Sequence, residues 1–118
     1  MRQDLRVRTK GFALRIVRLY GALPKSMEAQ VIGKQVLRSG TSVGAHYREA
    51  FRSRSDAEFI SKTEVGIQEI EETIYWMELL VESGIIPKPK LAALLNEANE
   101  LIAIFTTCVK TVKQRQKT

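Results

Sequence analysis

Apolar residues recur at helical spacing over almost the whole chain, and this periodicity constrains the fold more than any other feature of the sequence. Near the start, Leu5, Phe12, Ile16, Leu19 and Leu23 follow one another at steps of seven, four, three and four. Such steps place residues on one face of an α-helix, whereas a half-buried strand alternates apolar and polar residues. The pattern is interrupted near residues 21–26, 52–55 and 84–88. The sequence therefore predicts four helices.

Particular residues set the predicted ends of these helices. Ser26 and Ser55 are favourable N-cap residues, and Glu58 completes a capping box behind Ser55. Gly84 is typical of a helix C-terminus, and Pro87 is tolerated at a helix start. The predicted helices run from about Asp4 to Tyr20, from behind Ser26 to about Phe51, from behind Ser55 to Gly84, and from Pro87 to Lys113, where a frayed polar tail is expected to begin.

The short connections predict how the helices are arranged. Helices joined by so few residues pack as antiparallel neighbours. The predicted fold is an all-α, antiparallel up-down-up-down four-helix bundle, a single domain over residues 1–118. The segment SGTSVGA at residues 39–45 has poor helix propensity, since glycine costs about 1 kcal/mol in a helix interior. The apolar phase continues across it from Val36 to Val43, so we interpret it as helix in which small residues permit close backbone packing.

Helices one and three carry apolar residues on two sides. The core seam predicted on helix three comprises Phe59, Thr63, Ile67, Ile70, Ile74, Met77 and Val81. Further apolar residues lie opposite the core side, at Val7, Leu14 and Val17 on helix one and at Val65, Trp76 and Leu80 on helix three. A four-helix monomer cannot cover all of them, so the pattern predicts a second burial surface and a homo-oligomer.

Composition limits the classes of function. The 118 residues carry a net charge of +6, which favours an anionic partner such as nucleic acid or an acidic membrane surface. A single cysteine, Cys108, and a charged N-terminus without an export signal predict a cytoplasmic protein. No apolar stretch approaches the roughly 20 residues that span a bilayer, so no membrane role is expected.

Residues that would support catalysis are sparse. The chain has one histidine, His46, and one cysteine, which fall on different predicted helices. There is no Glu-x-x-His pair for a di-iron bundle and no phosphate-binding loop, since Gly40 and Gly44 are not followed by the required lysine. We therefore expect no enzyme activity, no catalytic residue, no metal and no cofactor.

Charge is unevenly distributed along the chain. Residues 1–54 carry a net charge of +9 and residues 55–118 a net charge of −3. On helix two, one stripe contains the basic residues Lys34, Arg38, Arg48 and Arg52, with the small residues Thr41 and Ala45 between them. It is about 27 Å long and predicts a nucleic-acid interface that contacts phosphates. The alternative interpretations are a solvated outer face and an ion-pairing surface between subunits.

An acidic stripe on helix three competes with nucleic acid for this basic stripe. Its members are Glu64, Gln68, Glu71, Tyr75, Glu78 and Glu82. We expect the two stripes to meet across a subunit boundary, because the basic stripe is predicted to face away from its own core.

Several segments resemble a known family, the small four-helix-bundle proteins named after 23S rRNA intervening sequences. The resemblance is carried by RSGTSVGA at 38–45, YREA at 47–50, RS at 54–55, EFISK at 58–62, ET at 72–73 and YW at 75–76. The family is similar to basic accessory proteins of retroelement reverse transcriptases, which assemble as pentamers. The resemblance implies a homopentamer associated with nucleic acid, and it implies no catalytic residues.

These observations lead to two functional hypotheses. The first is a non-enzymatic, oligomeric bundle that binds RNA, rather than DNA, or a ribonucleoprotein through its basic surface. The alternative is a protein-interaction scaffold, such as an accessory subunit of a reverse transcriptase, whose basic face docks an acidic or nucleic-acid-laden partner.

Overall fold

The computed structural model describes residues 4–117 and confirms the all-α fold with four helices. The helices are α1 at Leu5–Ala22, α2 at Met27–Phe51, α3 at Asp56–Glu82 and α4 at Lys88–Gln116. The described residues contain no strand. The molecule is a rod of 53 × 22 × 22 Å.

The helix ends follow the capping chemistry predicted from the sequence. The Oγ atom of Ser26 accepts a hydrogen bond from the backbone N–H of Ala29, and Ser55 Oγ accepts one from the N–H of Glu58 at 3.1 Å. Gly84 adopts φ +79° behind α3, and the N–H groups of Gly84 and Ile85 donate to carbonyl oxygens in the last turn. A residue with a Cβ atom rarely adopts this left-handed conformation, so glycine suits this helix end.

The fraying predicted from Lys113 onward is wrong, because α4 continues to Gln116. Two ion pairs join this last part of α4 to α3: Lys113 Nζ lies 3.5 Å from Glu64, and Arg115 Nη2 lies 3.7 Å from Asp56. Cations in a last turn also interact favourably with the helix dipole. These local electrostatic contacts favour helix in a segment that contributes few apolar side chains.

The core contains apolar residues from all four helices. The largest fully buried apolar side chains are Phe12, Ile16, Val36, Val43, Ile70, Met77, Leu80, Leu91, Leu101 and Phe105. On α3 the predicted seam is only partly correct: Thr63, Ile70 and Met77 are buried, whereas Phe59, Ile67, Ile74 and Val81 are half-buried. Leu80, which was predicted to lie behind the seam, is fully buried. The reason is that α3 packs against both α2 and α4, which shifts and widens its buried strip.

Glycines of α2 let α1 approach closely. A Cβ atom on Gly40 would lie 2.8 Å from Ile16 Cγ1, and one on Gly44 would lie 3.1 Å from Thr9 Oγ1. Because Ile16 and Thr9 are themselves fully buried, these contacts leave almost no room for a side chain on α2. The interpretation of residues 39–45 as helix with close backbone packing is confirmed.

Contacts between helices show which of them are neighbours. Helix α2 packs between α1 and α3, α4 packs on α3, and the direct contact between α1 and α4 is slight. Along α2, Ser39 contacts Thr73 and Glu49 contacts Lys62. These two helices therefore run in opposite directions, and α2 and α4 lie diagonally across the bundle.

Helix α4 is long and apolar enough, by length and composition, to cross a membrane, and it is the one helix of residues 4–117 with this property. Its apolar side is nevertheless buried in the bundle through Leu91, Leu94, Ala98, Leu101, Phe105, Val109 and Val112. A core helix of a bundle has the same composition, so this feature is weak evidence for a membrane span.

Candidate nucleic-acid interface

The basic residues predicted on α2 do not form a single uniform surface. Successive residues of an α-helix are rotated by about 100° around its axis. Lys34 and Arg52 therefore point in the same direction, whereas Arg38 and Arg48 point to either side of it, with roughly 80° between them. All four side chains are exposed. We call Lys34, Arg48 and Arg52 the outer ridge, because Arg38 leans towards α3 and has a different environment.

Arg38 is paired within its own chain. Its guanidinium donates to the carboxylates of Glu69 and Glu72 on α3, with a distance of 3.4 Å to Glu69. Glu72 also accepts a hydrogen bond from the indole N–H of Trp76, and Glu69 accepts one from Ser42. Arg38 is thus paired with carboxylates of its own chain, while contact between the basic stripe and the acidic stripe of another subunit stays a prediction. Neither glutamate belongs to the predicted acidic stripe.

Arg48 leans towards the start of α1. Asp4 is the N-cap residue of α1, and its carboxylate accepts hydrogen bonds from both the backbone N–H and the guanidinium of Arg6. The side-chain bond from Arg6, then the backbone bond and the charges of Arg6 and Arg48, hold the pKa of the Asp4 carboxyl below its ordinary value. The Arg6 guanidinium also lies 4.1 Å from the centre of the Phe51 ring. Two cations, Arg6 and Arg48, and the carboxylate of Asp4 therefore meet where α1 begins and α2 ends.

Arg52 lies one residue beyond α2 and caps its C-terminus. Its backbone N–H donates to the carbonyl oxygen of Arg48 at 3.2 Å. A cation here interacts favourably with the partial negative charge of the helix end. Neither Arg52 nor Lys34 forms an ion pair with a carboxylate of residues 4–117, so both charges are available to an anion.

The most enclosed ion pair of the described chain was not anticipated from the sequence. Arg8 on α1 donates two hydrogen bonds to Glu97 on α4, each of 2.7 Å, and lies 3.4 Å from Glu100. The side chains of Arg8 and Glu97 are each 16% exposed. The hydrogen bonds to Glu97 raise the pKa of Arg8. The partners are 89 residues apart, so no local pattern could have paired them.

His46 and Cys108 lie in separate surroundings. His46 is half-buried, and its Nδ1 atom lies 3.4 Å from Glu49, which also bonds to Lys62. Cys108 is half-buried against the core. Over residues 4–117, no group of three His, Cys, Asp or Glu side chains is arranged to hold a metal ion.

The fold and the charged surface define a small, basic four-helix-bundle protein, and comparison with known proteins identifies its family. The chain belongs to the 23S rRNA-intervening sequence protein family, whose sequence profile matches residues 3–107. A crystal structure of a protein of unknown function from the S23 ribosomal protein family of Bacteroides thetaiotaomicron is similar, with a TM-score of 0.85 and 36% identity. The match covers 91% of this chain and 99% of that one. No curated protein matches the chain.

This family places the protein in a ribosome-related context. The resemblance to the 23S rRNA intervening-sequence proteins is thereby confirmed. The likeness to retroelement accessory proteins stays a prediction.

Proposed function

We propose that this protein is a non-enzymatic, cytoplasmic RNA-binding protein that holds RNA by phosphate contacts along the outer ridge of α2. The observation that carries the proposal is the exposure of Lys34 and Arg52 without an ion-pair partner in the described chain, on the same side of α2. Both lie in the half of the sequence with a net charge of +9. The distance between them along the helix axis, about 27 Å, spans several phosphates of an RNA strand or duplex.

The ridge residues and Arg38 are expected to contribute differently. Lys34, Arg48 and Arg52 are exposed and offer charge to phosphates, whereas the charge of Arg38 is balanced by Glu69 and Glu72. An RNA phosphate would have to displace these carboxylates from Arg38. The proposal therefore keeps all four residues in the interface and assigns the smallest share to Arg38.

Binding of two unrelated RNA hairpins, measured by fluorescence anisotropy over a series of salt concentrations, tests this proposal. Lys34→Ala, Arg48→Ala and Arg52→Ala should each weaken both complexes equally and lower the salt slope by roughly one. Arg38→Ala should have a smaller effect. Lys110→Ala is the control, since Lys110 is exposed on α4, diagonally across the bundle. A wild-type protein that binds neither hairpin at low salt would contradict the proposal.

The proposal includes a homo-oligomer, for which the pentamer is the expected form. Its support is the exposed apolar face of α1: Val7 is 69% exposed, Leu14 46% and Val17 47%. Replacing Leu14 and Val17 with aspartate should dissociate the oligomer and leave the helical content intact. Light scattering that finds the wild type monomeric at tens of micromolar would remove this part of the proposal.

A further inference from the structure

A groove opens between the end of α1 and the start of α4, away from the outer ridge. It has a volume of about 450 Å³. The residues that line it on α1 are Arg15, Arg18, Leu19 and Ala22, and α4 contributes Lys90, Leu91, Ala93 and Leu94. Ile85 and Ile86 line it from the connection between α3 and α4. The groove lies in the same α1–α4 seam as the ion pair between Arg8 and Glu97, which joins the two helices nearer the start of α1.

The groove combines an apolar lining with a basic rim. Leu91 and Leu94 are buried and belong to the core, and Leu19, Ile85 and Ile86 pack against that core while remaining half-exposed. Arg15, Arg18 and Lys90 lie on the two sides, and none of them forms an ion pair within residues 4–117. Among the residues that the structure describes, no aspartate or glutamate lines the groove. Two further exposed lysines, Lys25 and Lys88, adjoin lining prolines in the sequence.

This combination selects between possible occupants. A nucleic-acid backbone would neutralise the arginines but would leave the leucine and isoleucine side chains without an apolar partner. An uncharged apolar segment would cover those side chains but leave three cations unpaired. An amphipathic segment with acidic residues beside its apolar face satisfies both parts. The lining stretch of α1 from Arg15 to Ala22 is about 10 Å long, which matches two helical turns of such a segment.

We propose that this groove docks an acidic amphipathic helix of a partner protein, with the apolar face of that helix on the leucines and its carboxylates on Arg15, Arg18 and Lys90. The proposal does not depend on RNA binding, because it uses none of the outer-ridge residues. It assigns a protein partner and a nucleic acid to different surfaces of the same bundle.

A synthetic, fluorescein-labelled peptide provides the probe. It carries leucine at positions i, i+3, i+4 and i+7 and glutamate at the flanking positions, and a control peptide has lysine in place of every glutamate. Anisotropy titration should show saturable binding of the acidic peptide and no binding of the lysine peptide. Replacing Arg15 and Arg18 together with glutamate should weaken binding by about tenfold or more. Ala93→Trp, which fills the groove from an exposed position, should have a comparable effect.

The controls separate this groove from general charge attraction and from other occupants. Lys34→Glu should leave peptide affinity unchanged, and circular dichroism should show that every variant keeps its helical content. Equal binding of both peptides, or full affinity in both groove variants, overturns the proposal. The proposal is also overturned if the wild type binds no peptide and the Ala93→Trp variant loses self-association. That result would assign the groove to a second copy of this chain. Loss of RNA binding in the groove variants without any peptide binding would assign it to nucleic acid.

Discussion

The two sides of α1 are held to the bundle by different interactions. Towards α2, its buried residues lie directly against glycine backbone, with Ile16 on Gly40 and Thr9 on Gly44. Towards α4, the described contacts are few, and the charged pair of Arg8 and Glu97 spans the seam before it opens into the basic groove. One interface depends on the absence of side chains and the other on long, charged ones.

This difference shows how one short helix can have a rigid side and an accessible side. Close packing of buried apolar groups tolerates little change in volume. An ion pair across a gap holds the distance between two helices but leaves space beside it. We therefore expect substitutions towards α2 to change stability and substitutions in the groove towards α4 to change binding.

The largest effect is expected from Gly40→Val, which tests the rigid side. Its side chain would enter the space occupied by Ile16, which is fully buried and cannot move into solvent. We expect a loss of about 3 kcal/mol in the free energy of unfolding. Urea unfolding followed by circular dichroism measures it. A loss below about 0.5 kcal/mol would show that the two helices can separate without penalty.

The second effect concerns the ion pair of the α1–α4 seam. Arg8→Met removes the hydrogen bonds to Glu97 and leaves a largely enclosed carboxylate unpaired. We expect destabilisation by about 2 kcal/mol, less than for a fully buried pair because both side chains retain some exposure. The double variant Arg8→Met/Glu97→Met should recover most of it in the same urea assay. If Arg8→Met unfolds as the wild type does, the seam is held by something other than this pair.

A third substitution sharpens the contrast between glycines. Gly11 lies on the exposed side of α1, and a Cβ atom there would meet nothing within 4 Å. Gly11→Ala should therefore stabilise the protein by about 1 kcal/mol through helix propensity. Gly40→Ala gains the same propensity but encounters Ile16, so its melting temperature should fall while that of Gly11→Ala rises. Equal shifts for both would contradict the assigned role of Gly40.

The smallest effect is expected from acid. Bonds from Arg6 and Lys62 lower the pKa values of Asp4 and Glu49 below their ordinary values of 3.8 and 4.5. A lowered pKa in the folded state stabilises the fold above the unfolded-state pKa, and this contribution is lost as the pH falls through the folded-state pKa. The free energy of unfolding should therefore decline below about pH 4.5. The contact between Gly40 and Ile16 contains no ionisable group, so acid should leave it unchanged. Glu49→Gln should make the decline measurably shallower in urea titrations from about pH 6 to pH 3.

Much of the local structure was predictable from the sequence alone. Helical spacing and capping residues determine where helices begin and end, because these interactions involve residues a few positions apart. Ser26, Ser55 and Gly84 mark such ends, and the structure has helix ends at each of them. The exposed apolar face of α1 was predicted in the same way, from positions opposite Phe12 and Ile16.

The tertiary structure decided which charged groups are paired. Periodicity states the angle of a residue around its own helix axis but not which helix lies beside it. Arg38 and Lys34 are therefore equivalent in the sequence, yet Arg38 meets Glu69 and Glu72 while Lys34 remains exposed.

The burial of Leu80 and the opening of the groove have the same origin. Leu80 is buried because α3 has neighbours on two sides, and the groove lined by Arg18 and Ala93 exists because α1 and α4 make little direct contact. Local chemistry in the sequence determined the four helices. Only the packing of segments that are distant in the chain decided which charges and apolar surfaces remain available to a partner.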